Sequence, residues 1–146
     1  MIFRLLVIVL VLSLGGMGPA MAGDKIWVDL YLAQNTAPAA NAPVAPAQLH
    51  DRLVSVFGYK HYELVKSEQI ELAHQWEQWA VPRKDFFIRV EPLPRQPDKP
   101  QTVAWELYKD GFLVVKGHYE AHKETPLFIN GPEYKQGRFI FVLEER

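Results

Sequence analysis

Two histidines and a glutamate recur at every second position in the last quarter of the chain. On a strand, His118, Glu120 and His122 would project from one face about 6–7 Å apart. Imidazole and carboxylate at that spacing are ligand types that zinc accepts. However, Lys116 would share the face, and its positive charge would oppose a bound cation. We therefore interpret the three residues as a hydrated polar face, and we predict neither a metal site nor a cofactor.

Nucleophilic chemistry has few candidate residues in this chain. It contains no cysteine, which excludes a thiol nucleophile, a thiolate metal site and a disulfide framework. Beyond residue 22 the only serines are Ser55 and Ser67, and neither stands in a G-x-S-x-G motif. Two carboxylates from separate strands would leave no local spacing to detect. We keep a hydrolase of that kind as an alternative, but we predict no catalytic residue.

Aromatic side chains are the remaining candidates for a binding site. Trp76 and Trp79, with Tyr31, Tyr108 and Tyr134, combine apolar faces with polar tips, as a platform for a sugar ring or a peptide would. Filling the core of a small β-domain is the simpler role for such large side chains. We retain Trp76 and Trp79 as candidate ligand-binding residues, in a carbohydrate-binding alternative whose partner is a polysaccharide.

The first 22 residues predict export from the cell. Residues 1–4 carry one positive charge, residues 5–14 are almost wholly apolar, and Ala20-Met21-Ala22 provides small residues for cleavage. The apolar stretch is shorter than the roughly 20 residues of a membrane span, and glycine and proline interrupt the chain directly after it. We predict a cleaved signal peptide over 1–22, a secreted or periplasmic location, and no integral membrane segment after cleavage.

Residues 23–146 have the length of a single domain. Without Arg4, the 16 basic residues of the chain become 15, against 17 acidic ones, so the formal charge is −2. Because charges of both signs are interspersed, the domain lacks the basic surface that nucleic-acid binding requires. We therefore predict no nucleic-acid partner.

Hydropathy patterns predict a strand, a loop and a short helix at the start of the domain. Residues 25–33 (KIWVDLYLA) alternate as a half-buried strand does. Residues 34–47 are rich in alanine and proline, which favours a mobile, extended loop. A helix then follows Pro46 and stops at Gly58. Its apolar positions at helical spacing are Leu49, Leu53, Val56 and Phe57.

The second half of the domain has the pattern of short strands, while residues 66–82 fit either a helix or strands. For one hairpin we predict a register, with a three-residue loop of Lys109, Asp110 and Gly111. This loop places Leu107 opposite Leu113, Trp105 opposite Val115 and Val103 opposite Gly117. The opposite face, which we predict to be in solvent, holds Thr102, Glu106, Tyr108, Lys116, His118 and Glu120.

A glycine-bearing segment separates the last two apolar runs. In FINGPEYKQGRFIFVL (128–143), Gly131 and Gly137 would each permit a positive φ, and Pro132 fixes the backbone between them. The segment lacks the G-x-x-x-x-G-K-[ST] spacing of a phosphate-binding loop. We interpret it as a turn.

Two aromatic blocks resemble a group of uncharacterised small secreted bacterial proteins. The blocks are FGYKHYEL (57–64), of the form F-x-Y-x-x-Y-x-L, and GPEYKQGRFIFVL (131–143), of the form G-P-x-Y-x-x-G-x-x-I. In that group, similar blocks bracket a run of strands. The resemblance covers residues 49–143 and implies two strands around a turn at residues 82–85. It implies no activity.

These patterns together predict a mainly β, α+β domain. It has one short helix and a mostly antiparallel sheet of about seven strands, folded as a sandwich or a half-open barrel. With no catalytic group in evidence, the expected role is that of a non-enzymatic interaction module of the cell envelope or periplasm. We expect its partner to be another envelope protein, bound through a sheet edge or the turn-rich end.

Overall fold

The computed structural model describes residues 25–72, 85–122 and 124–146, and the backbone of residues 78–80. The predicted signal peptide, Trp76 and residues 82–84 of the predicted turn lie outside this part of the chain. Within it are one helix and eight strands. They are β1 (Lys25–Gln34), α1 (Ala47–Phe57), β2 (His61–Glu71), β3 (Gln78–Ala80), β4 (Phe86–Pro92), β5 (Thr102–Lys109), β6 (Phe112–Glu120), β7 (Leu127–Tyr134) and β8 (Gly137–Glu145).

The strands form two antiparallel sheets of four strands each. Sheet A has the order β2-β1-β8-β7, and sheet B has the order β3-β4-β5-β6. The predicted class, α+β and mainly β, is thereby confirmed, and the architecture is a sandwich. In the ambiguous stretch, residues 66–71 belong to β2 and residues 78–80 pair with β4, so these described parts are extended. No helix among the described residues is both long and apolar enough to cross a membrane.

The main hydrophobic core lies between the two sheets. Alternate residues of β1 point into it and are fully buried, as strand periodicity requires. Sheet A contributes Ile26, Val28, Leu30, Ile70, Ile129, Phe139, Phe141 and Leu143, and sheet B contributes Phe86, Ile88, Val90, Val103, Trp105, Leu107 and Tyr119. The inner faces of β1 and β8 are therefore apolar at Ile26, Val28, Leu30, Phe139, Phe141 and Leu143, so polar chemistry on this part of the central strands lies on the outer face of sheet A.

A second apolar cluster joins α1 to the outer face of sheet A. The helix buries Leu49 and Leu53 there, and Gly58 ends it with φ 80° and an N–H donated to the carbonyl of Val54. The predicted helix and its stop are confirmed. Val56 is 60% exposed, so its predicted place in the buried stripe is wrong. The helix covers only the part of the outer face around Tyr62, Ile140 and Val142.

The alanine- and proline-rich loop is bound to β2 at its C-terminal end. Val44 forms an isolated bridge with Glu63, and the amide of Ala45 donates to the carbonyl of Tyr62. The amide of Leu64 donates in turn to the carbonyl of Pro43. Residues 43–45 thus cover part of the outer edge of β2. The mobility predicted for 34–47 stays a prediction.

The β5–β6 hairpin differs from its predicted register. Its loop has two residues, Asp110 and Gly111, with φ of 50° and 81°, as in a type I′ turn. A bulge then shifts the pairing, so that Leu107 lies opposite Val115 and Trp105 opposite Gly117. The predicted three-residue loop is wrong because the bulge, rather than the loop, restores the apolar register. The polar face was predicted correctly, since Glu106 pairs with Lys116 away from the core.

The β7–β8 hairpin corrects the role predicted for its glycines. The turn lies at residues 135–136, because Tyr134 pairs directly with Gly137, and Lys135 has φ 53°. Gly131 lies in a bulge within β7. Neither glycine has a positive φ. A Cβ on Gly131 would lie 2.6 Å from the carbonyl oxygen of Phe139, so close backbone approach, rather than turn geometry, requires glycine there.

Candidate functional site

A cleft opens on the outer face of sheet A, beside the N-terminal half of α1. Its volume is about 490 Å³. One end is polar and is formed by residues of β1, β8 and the position after β8, whereas the sides combine apolar side chains with Gln48, Arg52 and Glu124. Residues at the polar end are Asp29, Tyr31, Glu144 and Arg146, and apolar residues along the sides include Val44, Pro46, Leu49, Leu64 and Pro126. A concave site in which polar groups converge beside apolar side chains is suited to a small ligand.

A buried carboxylate forms the base of the polar end. Asp29 is 1% exposed, although it lies on the outer face of the central strand β1. Its Oδ1 accepts a hydrogen bond from the Ser67 hydroxyl on β2, and its Oδ2 accepts one from Nη2 of Arg146. Because burial of an unpaired charge is strongly unfavourable, this carboxylate depends on its cationic partner.

Arg146 is enclosed by two carboxylates and an indole. Its Nε and Nη2 donate to Oε1 of Glu144 at 2.8 Å and 2.5 Å. Its Cζ lies 4.8 Å from the ring centroid of Trp27. Burial by itself would lower the pKa of Arg146, but the hydrogen bond to Glu144 and the charge of Asp29 outweigh it and raise the pKa. The guanidinium is therefore held as a cation. We call Trp27, Asp29 and Glu144 the cage.

Tyr31 adjoins the cage on β1. Burial of its side chain raises its pKa well above the ordinary value, and the neighbouring charge of Asp29 raises it further. The phenol therefore stays protonated, as a donor toward Asp29. With both carboxylate oxygens of Asp29 accepting hydrogen bonds, the polar end is suited to holding a cation rather than to presenting a free base.

This burial predicts a loss of stability in alkaline solution. The folded-state pKa of Tyr31 lies above the unfolded value of 10.0, so its contribution is complete below that pH and is lost as the pH rises beyond it. We expect about 1 kcal/mol to be lost between about pH 10 and pH 11 from this group. Urea unfolding across this range measures the loss, and Tyr31→Phe should reduce the slope. An unchanged slope in Tyr31→Phe would contradict the assignment.

A second, apolar surface lies at the edge of sheet B. Strand β6 is the outermost strand of that sheet, and four consecutive residues at its start are exposed. Their exposed fractions are 77% for Phe112, 46% for Leu113, 59% for Val114 and 40% for Val115. We call these four residues the edge patch. Contiguous exposed apolar residues of this kind mark interaction surfaces.

The residues predicted to bind ligand are only partly placed. Trp76 lies outside the described residues, and Trp79 lies on β3, opposite Arg89 of β4, with only its backbone described. Tyr108 stacks on Phe87 at 5.0 Å, while Tyr31 is buried on the far sheet. The described tyrosines thus do not form one platform, and the sugar-binding role of the two tryptophans stays a prediction.

The histidine-bearing segment was predicted to be a polar face rather than a metal site. His122 lies beyond β6, and its Nε2 is 3.7 Å from Oε2 of Glu120. Within the described part of the chain, no group of three or more histidine, aspartate or glutamate side chains is arranged to hold a metal ion. His118 is exposed opposite Ala104.

Sequence reasoning missed both the cage and the edge patch. A charged residue, Asp29, at the centre of an otherwise apolar strand was one available signal. The other was the run FLVV (112–115), which does not alternate as a half-buried strand should. No family model, curated protein or solved structure matches this chain.

Proposed function

We propose that this chain is an exported, non-enzymatic interaction module of the cell envelope that binds an extended segment of another envelope protein along β6. The edge patch is the observation that carries the proposal. An edge strand has unpaired backbone donors and acceptors, to which a partner strand can add while its side chains contact apolar neighbours.

Comparison with the edges of sheet A favours β6. The edge of β2 is partly covered by residues 43–45, which bridge to it at Val44 and Glu63. The edge strand β7 carries a bulge with Pro132, which lacks a backbone donor. Strand β6 has no proline, and among the described residues only β5 pairs with it. Natural sheets usually protect such an edge, so an open apolar one suggests a binding role.

The partner is expected to be an extended segment with alternating apolar side chains. Leu113 pairs with Tyr108 on the outer face, and Val115 pairs with Leu107 on the inner face, so the patch presents apolar groups on both sides of the strand. The bulge leaves Val114 without a partner on β5. A bound segment would cover these side chains from the open edge.

Charge placed in the edge patch should weaken binding of the partner. We expect Leu113→Lys and Val114→Lys each to weaken binding of the partner about tenfold or more, because each puts an ammonium into an apolar contact. A photo-crosslinking residue at position 114 of the full chain, produced in its native envelope, should yield one discrete adduct. In the purified complex, hydrogen exchange should show slowed amides in 112–116.

Val56→Lys is the matched control, since Val56 is equally exposed but lies on α1. This variant should keep the affinity of the unmodified chain, and a crosslinker at position 56 should give no such adduct. Equal binding by the Val114→Lys and Val56→Lys variants would contradict the proposal. Slowed hydrogen exchange confined to strands other than β6 would also contradict the proposal. Sedimentation of the purified chain tests whether a second copy occupies β6 instead.

A further inference from the structure

We propose that the cage is a binding site for a guanidinium ligand, such as an arginine side chain of another polypeptide, and that Arg146 occupies it in the free protein. The site lies on the outer face of sheet A, away from β6, and the inference does not depend on the proposed function.

The cage has the composition that guanidinium recognition requires. A guanidinium is planar, delocalised and rich in donors, so it suits carboxylates at its edge and an aromatic ring on its face. Asp29 and Glu144 provide the carboxylates, and Trp27 provides the ring, 4.8 Å from Cζ of the bound group. That separation is within the range of cation–π attraction.

The receptor groups and their present occupant differ in how firmly they are held. Trp27 and Asp29 are on β1, Glu144 is on β8, and Ser67, which hydrogen-bonds to Asp29, is on β2. All four lie on three adjacent strands of one sheet. Arg146 follows the end of β8 and is 39% exposed, whereas the Asp29 side chain that it pairs with is 1% exposed. Three paired strands hold the cage residues in place. Arg146 lies outside the strand pairing, so its side chain can leave the cage.

The adjoining cavity provides space for the stem of a ligand. An ion pair that only stabilised the fold would not need a cleft of about 490 Å³ beside it. Leu64 of β2 and Leu49 of α1 line the cleft and offer apolar contacts for a ligand's methylene groups, while Arg52, which also lines it, donates to the carbonyl of Glu124.

The charge of the site also favours a cationic ligand. With Arg146 in place, the two carboxylates and one guanidinium sum to a charge of −1. If Arg146 leaves, Asp29 loses its cationic partner at the edge of the cleft, and a replacement cation is favoured. The exchange of one guanidinium for another keeps a donor on Oδ2 of Asp29 and on Oε1 of Glu144.

Chemical complementation of Arg146→Ala in the full chain tests this inference. The probe is N-acetyl-L-arginine methylamide, and the matched control is N-acetyl-L-citrulline methylamide, which has nearly the same shape without the charge. We expect the arginine probe to raise the melting temperature of Arg146→Ala saturably and to shift the indole N–H resonance of Trp27. The citrulline compound should do neither. Adding Asp29→Asn to Arg146→Ala should remove the response.

The unmodified chain provides a second measurement, and its saturable response to the arginine probe tests the site even if Arg146→Ala does not fold. There the tethered Arg146 competes at a millimolar effective concentration, so the arginine probe should shift the Trp27 resonance with an apparent Kd about tenfold or more weaker than in Arg146→Ala. The inference is overturned if the Trp27 resonance does not respond saturably, or if citrulline and arginine probes act alike. Hydrogen exchange at β6 tests the proposed function and does not report on the cage. Either proposal can therefore fail without the other.

Discussion

Replacing Arg146 by alanine is expected to lower the free energy of unfolding by about 2–3 kcal/mol. The loss exceeds that of an ordinary surface ion pair because Asp29 is 1% exposed, so its removal from water is no longer offset by a cationic partner. Water can reach the site in part, since Arg146 is 39% exposed, and this keeps the loss below that of a fully buried pair. Urea unfolding at neutral pH measures the difference.

Replacing the carboxylate instead of the guanidinium should lower the unfolding free energy much less. In Asp29→Asn, the guanidinium keeps its two bonds to Glu144 and its contact with Trp27, so we expect a loss of about 1 kcal/mol. The double variant should resemble Asp29→Asn, and so be more stable than Arg146→Ala alone. The buried charge would not be the cause of the instability of Arg146→Ala if both single variants lost the same unfolding free energy. In that case the two losses would also add in the double variant.

Local patterns account for the parts of the fold that the sequence predicted. The helix was predictable because Leu49 and Leu53 fall at helical spacing and Gly58 supplies a left-handed stop, all within one short segment. Val56 failed the same pattern because the stripe that packs on sheet A follows the i, i+4, i+8 spacing of Leu49, Leu53 and Phe57, and Val56 lies beside it in solvent.

Features that depend on a second segment were not predictable from spacing. The register of β5–β6 changes at a bulge, because Trp105 lies against Gly117, where a Cβ would be 2.7 Å from the indole ring. That contact decides which residue lies opposite Trp105, and the sequence preferences of turns do not predict it. Asp29 and Arg146 are 117 positions apart, so their pairing leaves no periodicity in the sequence.

The cage results from how α1 divides the outer face of sheet A. On β1 the outward residues run from Trp27 and Asp29 to Tyr31 and Ala33, and the last two lie in the apolar cluster under the helix. The polar pair Trp27 and Asp29 lies beyond the helix's cover. A strand that alternates regularly thus provides an anchor for α1 at one end and a cation site at the other.

Replacing Gly137 by alanine is expected to cost about 3 kcal/mol of unfolding free energy, through a backbone collision rather than a turn constraint. Gly137 begins β8 beside β1, and a Cβ there would overlap the carbonyl oxygen of Ala33. Backbone atoms cannot rotate away as a side chain can, so β1 and β8 must separate locally at the centre of sheet A. The midpoint of urea unfolding, with an unchanged m-value, measures this loss.

Gly58→Ala is the control, because it adds the same methyl group at a site where the cost in stability has a different cause. Gly58 has φ 80° and open space around its missing Cβ, so alanine there costs only the left-handed backbone conformation, about 1 kcal/mol. Gly137→Ala should therefore be the more destabilised variant by about 2 kcal/mol. If the two variants lose equal stability, β1 and β8 do not approach as closely as the structure shows.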